Sequence, residues 1–248
     1  PALGFENVFQ MFGAWTDDKF LLLNKTVMNN FYNKEISMKN IIFDIDGTLW
    51  DSTDVVAESW NEAIWEKAGI KANLDGDKLK KLFGKTMDEI GRLMLPTLDD
   101  EKRAEVCQAC YDYEDAYLEK HSGVFYDGVI DTLNELAKDY NLYVVSNCQV
   151  GYIETTLRYA NMTDKVKDHL CYGDTGLHKG ETIKLLMKKN NIDEAIYVGD
   201  TQGDFEACEM ANIPMIFASY GFGKVENPAY TINDIKELPS LMAKINTK

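Results

Sequence analysis

Short apolar runs alternate with amphipathic stretches along most of the chain. The runs are rich in β-branched and aromatic residues, which is typical of parallel strands buried on both faces. The stretches between them carry apolar residues at helical spacing. This alternation predicts right-handed βαβ crossovers, so we predict an α/β fold, a Rossmann-like parallel sheet core with helices on both faces. The predicted strands are 40–43, 142–145, 170–172, 195–198 and 213–218, and the predicted helices between them are 129–139, 152–159, 181–190 and 204–211.

The segment between the first two predicted strands has a different pattern. It shows helical spacing over about seventy residues and no convincing strand, which is more than one crossover between parallel strands needs. We therefore predict an inserted α-helical cap domain over 52–123, and a core domain made of 38–51 and 124–248. The predicted helices of the insertion run from a cap at Ser52 or Thr53 to Ala68, from a capping box at Thr86 to Pro96, and from Asp99 to Lys120.

Residues 1–37 resemble neither pattern, because aromatic residues are mixed there with asparagine and charged residues. We predict an N-terminal extension. Two interpretations stay open: a segment that packs on the core, or a leader before a native start at Met38.

The composition is that of an ordinary globular protein, with 45% hydrophobic and 11% aromatic residues. A formal net charge of −15 argues against nucleic acid as a partner, since binding to a phosphate backbone needs a basic surface. No stretch approaches the ~18 apolar residues of a membrane span, so we predict no membrane partner either. Five cysteines without framework spacing are expected to be reduced thiols, and the predicted location is the cytoplasm.

Four polar segments end or follow the apolar runs, at 44–48, 145–147, 178–180 and 199–204. The carboxyl ends of parallel strands share one edge of a sheet, so we expect these segments to form one site. Several carboxylates there would repel one another unless a cation lay between them. Oxygen ligands suit Mg²⁺, which is therefore the predicted cofactor.

The residue types of these segments suit phosphoryl transfer. The carboxylate of Asp44 can attack phosphorus and form a covalent intermediate, and Asp46 can exchange a proton with the leaving oxygen and with water. The Lys179 ammonium can neutralise the charge on the transferring group. The predicted catalytic residues are therefore Asp44, Asp46 and Lys179.

In order along the chain, 44–49, 146–147, Lys179 and 199–204 resemble the four motifs of the haloacid dehalogenase superfamily. The Asp-x-Asp start resembles its phosphatase branch, and the helical insertion is similar to the small cap of its phosphoglycolate phosphatase and β-phosphoglucomutase-like members. The resemblance implies that Mg²⁺ is bound by Asp44, the backbone carbonyl of Asp46 and Asp200, while Asp204 binds it directly or orients the site.

The core motifs are expected to bind only the phosphate group, so the insertion is expected to determine the substrate specificity. Lys85, at a predicted helix start, could reach the tail of a substrate or could be an exposed lysine beside a helix cap. The predicted substrate-binding residues are Ser146, Asn147, Thr48 and Lys85.

We predict a Mg²⁺-dependent phosphatase that hydrolyses a small phosphorylated metabolite through an aspartyl-phosphate on Asp44, as a monomer or homodimer. One alternative is a sugar-phosphate mutase that uses the same aspartate. A non-enzyme alternative is a receiver-like signalling module with a phosphorylated aspartate. Such a module is expected to be much smaller and has no use for Asp46 or for a helical insertion.

Overall fold

A sheet of six parallel strands forms the core of the computed structural model, which describes residues 38–247. The predicted extension over 1–37 lies outside the described residues. A separate antiparallel pair, β2 with β3, joins the core to the helical insertion. The strands are β1 (Asn40–Phe43), β2 (Trp50–Asp51), β3 (Val124–Phe125), β4 (Asn141–Ser146), β5 (Val166–Cys171), β6 (Ile196–Gly199), β7 (Met215–Ala218) and β8 (Tyr230–Ile232).

The strand order of the large sheet is β5-β4-β1-β6-β7-β8. β1 pairs in parallel with β4 on one side and with β6 on the other. After β1, the chain places β4 and β5 on one side of it and then β6, β7 and β8 on the other side. This reversal makes the carboxyl end of β1 a topological switch point. Open α/β sheets bind their ligands in the crevice at such a point.

The helices cover both faces of this sheet, as predicted. Alternate residues of β1 face opposite layers: Ile41 packs in one apolar cluster with Leu133 and Ile153, and Ile42 packs in another with Ile183. The predicted α/β class is therefore confirmed. The helices are α1 (Thr53–Ala68), α2 (Gly76–Lys80), α3 (Met87–Met94), α4 (Asp100–Leu118), α5 (Val129–Leu136), α6 (Tyr152–Tyr159), α7 (Tyr172–Thr175), α8 (Lys179–Lys189), α9 (Gln202–Ala211) and α10 (Leu238–Asn246).

Helices α1 to α4 pack on one another and bury a third apolar cluster, which includes Val56, Trp60, Ile90 and Val106. α3 begins with the predicted capping box, in which the Thr86 and Glu89 side chains each bond the backbone of the other. The insertion therefore has its own apolar cluster, separate from the two clusters that pack on the sheet.

Several predicted element boundaries were wrong. The run 170–172 is divided between β5 and α7, because Tyr172 begins a short helix. Ser52 precedes α1 but makes no side-chain capping bond, since its hydroxyl donates to Asp46 instead. The short strand β8 and the helix α10 were not predicted, although Leu238, Leu241, Met242 and Ile245 have the spacing of one helix face.

None of the helices in 38–247 has the length and apolar character that crossing a membrane requires.

Candidate active site

The carboxyl ends of β1 and β6 bring two aspartates together. Asp44 follows β1, and its backbone N–H donates to Val198 O in β6 at 2.9 Å, which ties the end of one strand to the other. Asp200 follows β6 and is fully buried, while Asp44 is 2% exposed. The geometry of the parallel sheet therefore places both carboxylates at the switch point.

The turn after β1 requires glycine. Gly47 has φ +80°, and a Cβ at this position would lie 2.2 Å from Asp200 Oδ2. Any larger residue would push the buried Asp200 carboxylate away. The glycine of the first motif thus lets the turn and the Asp200 carboxylate approach each other closely.

Asp44, Asp200 and Asp204 form a buried acidic cluster, in which one oxygen of each lies within 4.8 Å of the others. Burial, together with the charges of the other two, raises the pKa of Asp200 well above its usual range. Burial also raises the pKa of Asp44 to about 6, although Lys179 opposes this shift. Three buried carboxylates and one lysine are a donor set that suits a hard divalent cation, which would relieve their repulsion.

Lys179 provides a buried positive charge for this cluster. Its Nζ lies 2.6 Å from Asp204 Oδ1 and 3.1 Å from Asp44 Oδ1. Although burial opposes it, the pKa of Lys179 is raised by Asp204 and Asp44, so the side chain stays charged. Asp44 Oδ1 has no hydrogen-bond partner of good geometry among the described residues, and its close contact is the ion pair with Lys179.

Both oxygens of Asp204 are already occupied by donors. Oδ1 accepts from Lys179, and Oδ2 accepts from the Thr201 hydroxyl at 2.7 Å and the Thr201 N–H at 2.9 Å. Burial raises the pKa of Asp204, but these donors and the Lys179 charge hold it below its usual value. Of the two predicted roles of Asp204, this arrangement favours orienting the site over binding a metal directly.

Asp46 points towards a small polar group formed by Ser52 and Tyr152. The Tyr152 hydroxyl donates to Asp46 Oδ1 at 2.5 Å, and the Ser52 hydroxyl donates to the same oxygen at 3.0 Å. Burial, with Asp44 nearby, raises the pKa of Asp46 to about 7. A carboxyl group with such a pKa suits proton exchange near neutral pH.

Ser146 and Asn147 line a cavity between the core and the helical insertion, together with Asp44 and Asp46. Ser146 is buried at the end of β4. The Asn147 amide donates to Gly84 O of the insertion at 2.9 Å, while its Oδ1 is buried without a partner among the described residues. Asn147 therefore connects the two sides of the cavity.

The other two predicted substrate-binding residues lie in different places. Thr48 is fully buried and outside the cavity lining, and its hydroxyl is 3.3 Å from Asp200 Oδ1, to which it donates. Lys85 is exposed and lines both the cavity and a wider groove of about 710 Å³ that opens beside it. The structure thus brings the predicted residues of the core together, with Thr48 behind Asp200 and Lys85 at the rim.

Three residues near the cavity were given no site role by the sequence analysis: Ser52, Tyr152 and Glu114. Ser52 was predicted only as a helix cap, and Tyr152 only as a helix start. Glu114 lies on α4 one turn from Cys110 and from Leu118, both buried. A charged residue inside an apolar helical stripe was the signal that could have identified it.

The fold and this site define a protein of the α/β class with a strand-end aspartate, a paired lysine and an acidic cluster at the switch point of a parallel sheet. The chain belongs to the haloacid dehalogenase-like hydrolase family, whose model matches residues 41–218. The predicted resemblance is therefore confirmed, and the signalling module does not fit this family.

Curated relatives of the chain are phosphatases. A phosphoglycolate phosphatase of Pseudomonas savastanoi is 28% identical over 222 residues, which cover 81% of this chain and 78% of that protein. A phosphoglycolate phosphatase of Aquifex aeolicus is 28% identical over 216 residues, which cover 83% and 97% of the two chains. These similarities support the predicted phosphatase type of hydrolase.

Solved structures share the fold. A structure described as a predicted phosphoglycolate phosphatase from Haemophilus somnus has a TM-score of 0.73 and 20% identity, covering 83% of this chain and 98% of that one. CbbY from Rhodobacter sphaeroides, solved with phosphate, has a TM-score of 0.68 and 18% identity, covering 81% and 96%. At such identities the likeness extends to the fold alone.

Proposed function

We propose that the protein is a Mg²⁺-dependent phosphatase that hydrolyses a small phosphomonoester through an aspartyl-phosphate on Asp44. The observation that carries this proposal is the position of Asp44. Its carboxylate lines the cavity, one oxygen has no hydrogen-bond donor among the described residues, and the Lys179 ammonium lies 3.1 Å from that oxygen. A desolvated carboxylate beside a fixed positive charge is suited to attack an anionic phosphate.

Asp44, Asp200 and the backbone carbonyl of Asp46 are the proposed ligands of Mg²⁺. The acidic cluster itself supports a bound metal ion, because its three carboxylates are buried and, within 38–247, the Lys179 ammonium is the one cation paired with them. The bound ion would neutralise charge on the phosphate and on the carboxylates. Asp204, for which the resemblance implies either direct metal binding or an orienting role, is proposed to anchor Lys179 and to act on the metal site through it.

In the first half of the reaction, an oxygen of Asp44 forms a bond to phosphorus while the bond from phosphorus to the ester oxygen breaks. Asp46 donates its proton to the departing oxygen, which leaves as an alcohol. The hydroxyl groups of Tyr152 and Ser52 fix one oxygen of Asp46, so its other oxygen is left for this exchange. Ser146 and Asn147 are proposed to hold the phosphate oxygens.

In the second half, water attacks phosphorus and the Asp46 carboxylate takes its proton. The bond between Asp44 and phosphorus then breaks, which releases inorganic phosphate and restores both aspartates. The cavity measures about 40 Å³, which holds only a few water molecules. We propose that 52–123 acts as a cap domain that must move away from the core for substrate to enter and for phosphate to leave.

The relatives named as phosphoglycolate phosphatases support hydrolysis of a small phosphomonoester. A sugar-phosphate mutase stays an alternative, and no contact in the cavity favours it. The five cysteines are free and buried, which suits a reducing compartment, so we propose the cytoplasm as the location. We propose the monomer or homodimer as its oligomeric state.

A panel of small phosphomonoesters, assayed with Mg²⁺ and with EDTA, tests the proposed function. We expect phosphate release only with Mg²⁺. Rapid acid quenching followed by peptide mass spectrometry should locate a phosphoryl group on Asp44. Release that persists in EDTA, or a phosphoryl group on another residue, would contradict the mechanism.

A further inference from the structure

Glu114 is a buried carboxyl group that the proposed mechanism does not use. It lies on α4 of the helical insertion, is 3% exposed, and lines the same cavity as Asp44 and Asp46. The Trp60 indole N–H donates to its Oε2 at 2.7 Å, which fixes the direction of the side chain. The cavity therefore has a carboxyl group on the insertion side as well as on the core side.

No lysine or arginine within 38–247 forms an ion pair with Glu114. Burial raises the pKa of Glu114 to about 8, although the Gln149 and Trp60 side chains oppose this shift. A buried carboxyl group without a cationic partner is costly in free energy. A bound molecule that donates a hydrogen bond to this group would reduce that cost.

The residues around Glu114 indicate which functional group of a bound molecule would lie beside it. The wall beside it is largely apolar and aromatic, and includes Trp60, Phe83 and Tyr111. A carboxyl group among aromatic rings favours an ammonium or a hydroxyl group, which can donate a hydrogen bond to it. Above its pKa of about 8, where Glu114 is ionised, a carboxylate tail would meet it as a second negative charge in a desolvated site.

We propose that Glu114 is a specificity-determining residue, which selects phosphomonoesters whose other end donates a hydrogen bond and discriminates against those that end in a carboxylate. The inference rests on the proposed phosphatase function and specifies its substrate class. The phosphate end is placed by the core, and the other end is placed by Glu114 with Trp60 behind it.

Lys85 is the competing determinant, because it also lines the cavity and would favour an anionic tail. It is an exposed side chain that faces the wider groove as well, whereas Glu114 is buried and held by Trp60. A desolvated group discriminates more strongly than one in contact with water, so we expect Glu114 to prevail.

The test compares four two-carbon phosphomonoesters that differ only at the far end: ethyl phosphate, 2-hydroxyethyl phosphate, 2-aminoethyl phosphate and 2-phosphoglycolate. For the unaltered protein assayed near pH 9, where Glu114 is ionised, we expect kcat/KM for the hydroxyl or the ammonium ester to exceed that for 2-phosphoglycolate by at least roughly tenfold. The ester with the higher value identifies which donor the cavity prefers. A preference for 2-phosphoglycolate would overturn the proposal.

Glu114→Gln removes the charge and keeps an oxygen that can accept from Trp60. We expect this variant to raise kcat/KM for 2-phosphoglycolate and to lower it for the preferred ester, so that their ratio falls by about tenfold. The control is Glu119→Gln, which makes the same change at an exposed position near the end of α4 and should leave the ratio unchanged. An unchanged ratio in Glu114→Gln with ethyl phosphate turnover intact would overturn the proposal.

Ethyl phosphate separates this inference from the proposed function, because its tail gives Glu114 nothing to select. Hydrolysis of ethyl phosphate without discrimination among the three polar tails would refute the role of Glu114 alone. Failure of all four esters to react, in Mg²⁺, would refute the proposed function first. If Lys85→Gln, rather than Glu114→Gln, changes the ratio, Lys85 is the determinant and the inference is wrong.

Discussion

The two sides of the cavity differ in how their charges are partnered. On the core side, Lys179 contacts both Asp44 and Asp204, and hydroxyl groups hold Asp46. On the insertion side, the Glu114 carboxyl has the Trp60 indole as its donor and lies among apolar side chains. The aspartates of the core side are therefore paired within the protein, whereas the carboxyl group of the insertion side has no cationic partner among the described residues.

The largest effect is expected when the proposed nucleophile on the core side of the cavity is removed. We expect Asp44→Asn to lower kcat by about 10³-fold or more, because the amide cannot form the covalent intermediate. Steady-state kinetics with any accepted ester measures the effect. Asp193→Asn, an exposed position, is the matched control and should retain full activity. Turnover near the original level in Asp44→Asn would rule out the aspartyl-phosphate.

A second change tests whether the core side depends on its ion pairs. We expect Lys179→Met, measured in EDTA, to lower the free energy of unfolding by about 3 kcal/mol, because Asp44 and Asp204 stay buried without a cation. Urea denaturation gives this value. The double variant with Asp204→Asn should be less destabilised than the sum of the two single changes. Strictly additive losses would show that Lys179 and Asp204 do not stabilise each other.

A third change tests whether the Tyr152 hydroxyl positions Asp46 on the core side of the cavity. Tyr152→Phe removes the hydroxyl that donates to Asp46 at 2.5 Å, and we expect kcat to fall roughly tenfold with KM nearly unchanged. The control is Tyr159→Phe on the same helix, whose hydroxyl donates to Leu118 O and which does not line the cavity. Equal effects of the two changes would argue against a positioning role for Tyr152.

The smallest expected effect concerns the stability of the insertion. Thr86→Ala removes the capping box of α3, which should lower the free energy of unfolding by about 1 kcal/mol. For a protein of this size, that corresponds to roughly 2–4 °C in the melting temperature. Thr86→Ser keeps a hydroxyl that can cap and should recover most of the loss. An unchanged melting temperature in Thr86→Ala would show that this cap contributes nothing.

Much of the core was predictable because its signals are local. The buried run before Asp44 and the run before Asp200 predicted strands, and the shared edge of a parallel sheet predicted that the two aspartates meet. Lys179 was predicted by its motif, and the ion pair with Asp44 places it in the same cluster. The roles of these residues, and the domain boundaries at 52–123, remain predictions.

The unpredicted features depend on contacts between distant segments. Tyr152 is 106 residues from Asp46, and the pattern around it predicted only the start of a helix. Ser52 was predicted as a cap, yet its hydroxyl donates to Asp46 and lies 2.8 Å from the hydroxyl of Tyr152, which is 100 residues away. Asn147 likewise donates across to Gly84 of the insertion, 63 residues away.

By itself, the sequence determined the parallel sheet and the polar residues that end its strands, because burial and periodicity are properties of short segments. Only the tertiary structure decided which remote side chains share the cavity with them. Glu114 shows the reason: on α4 it lies between the buried Cys110 and Leu118, but only the packing of the insertion against the core places its carboxyl group in the same cavity as Asp44. The local sequence pattern determines the position of a side chain on its own helix or strand. The packing of helices and strands against one another determines which residues that side chain contacts.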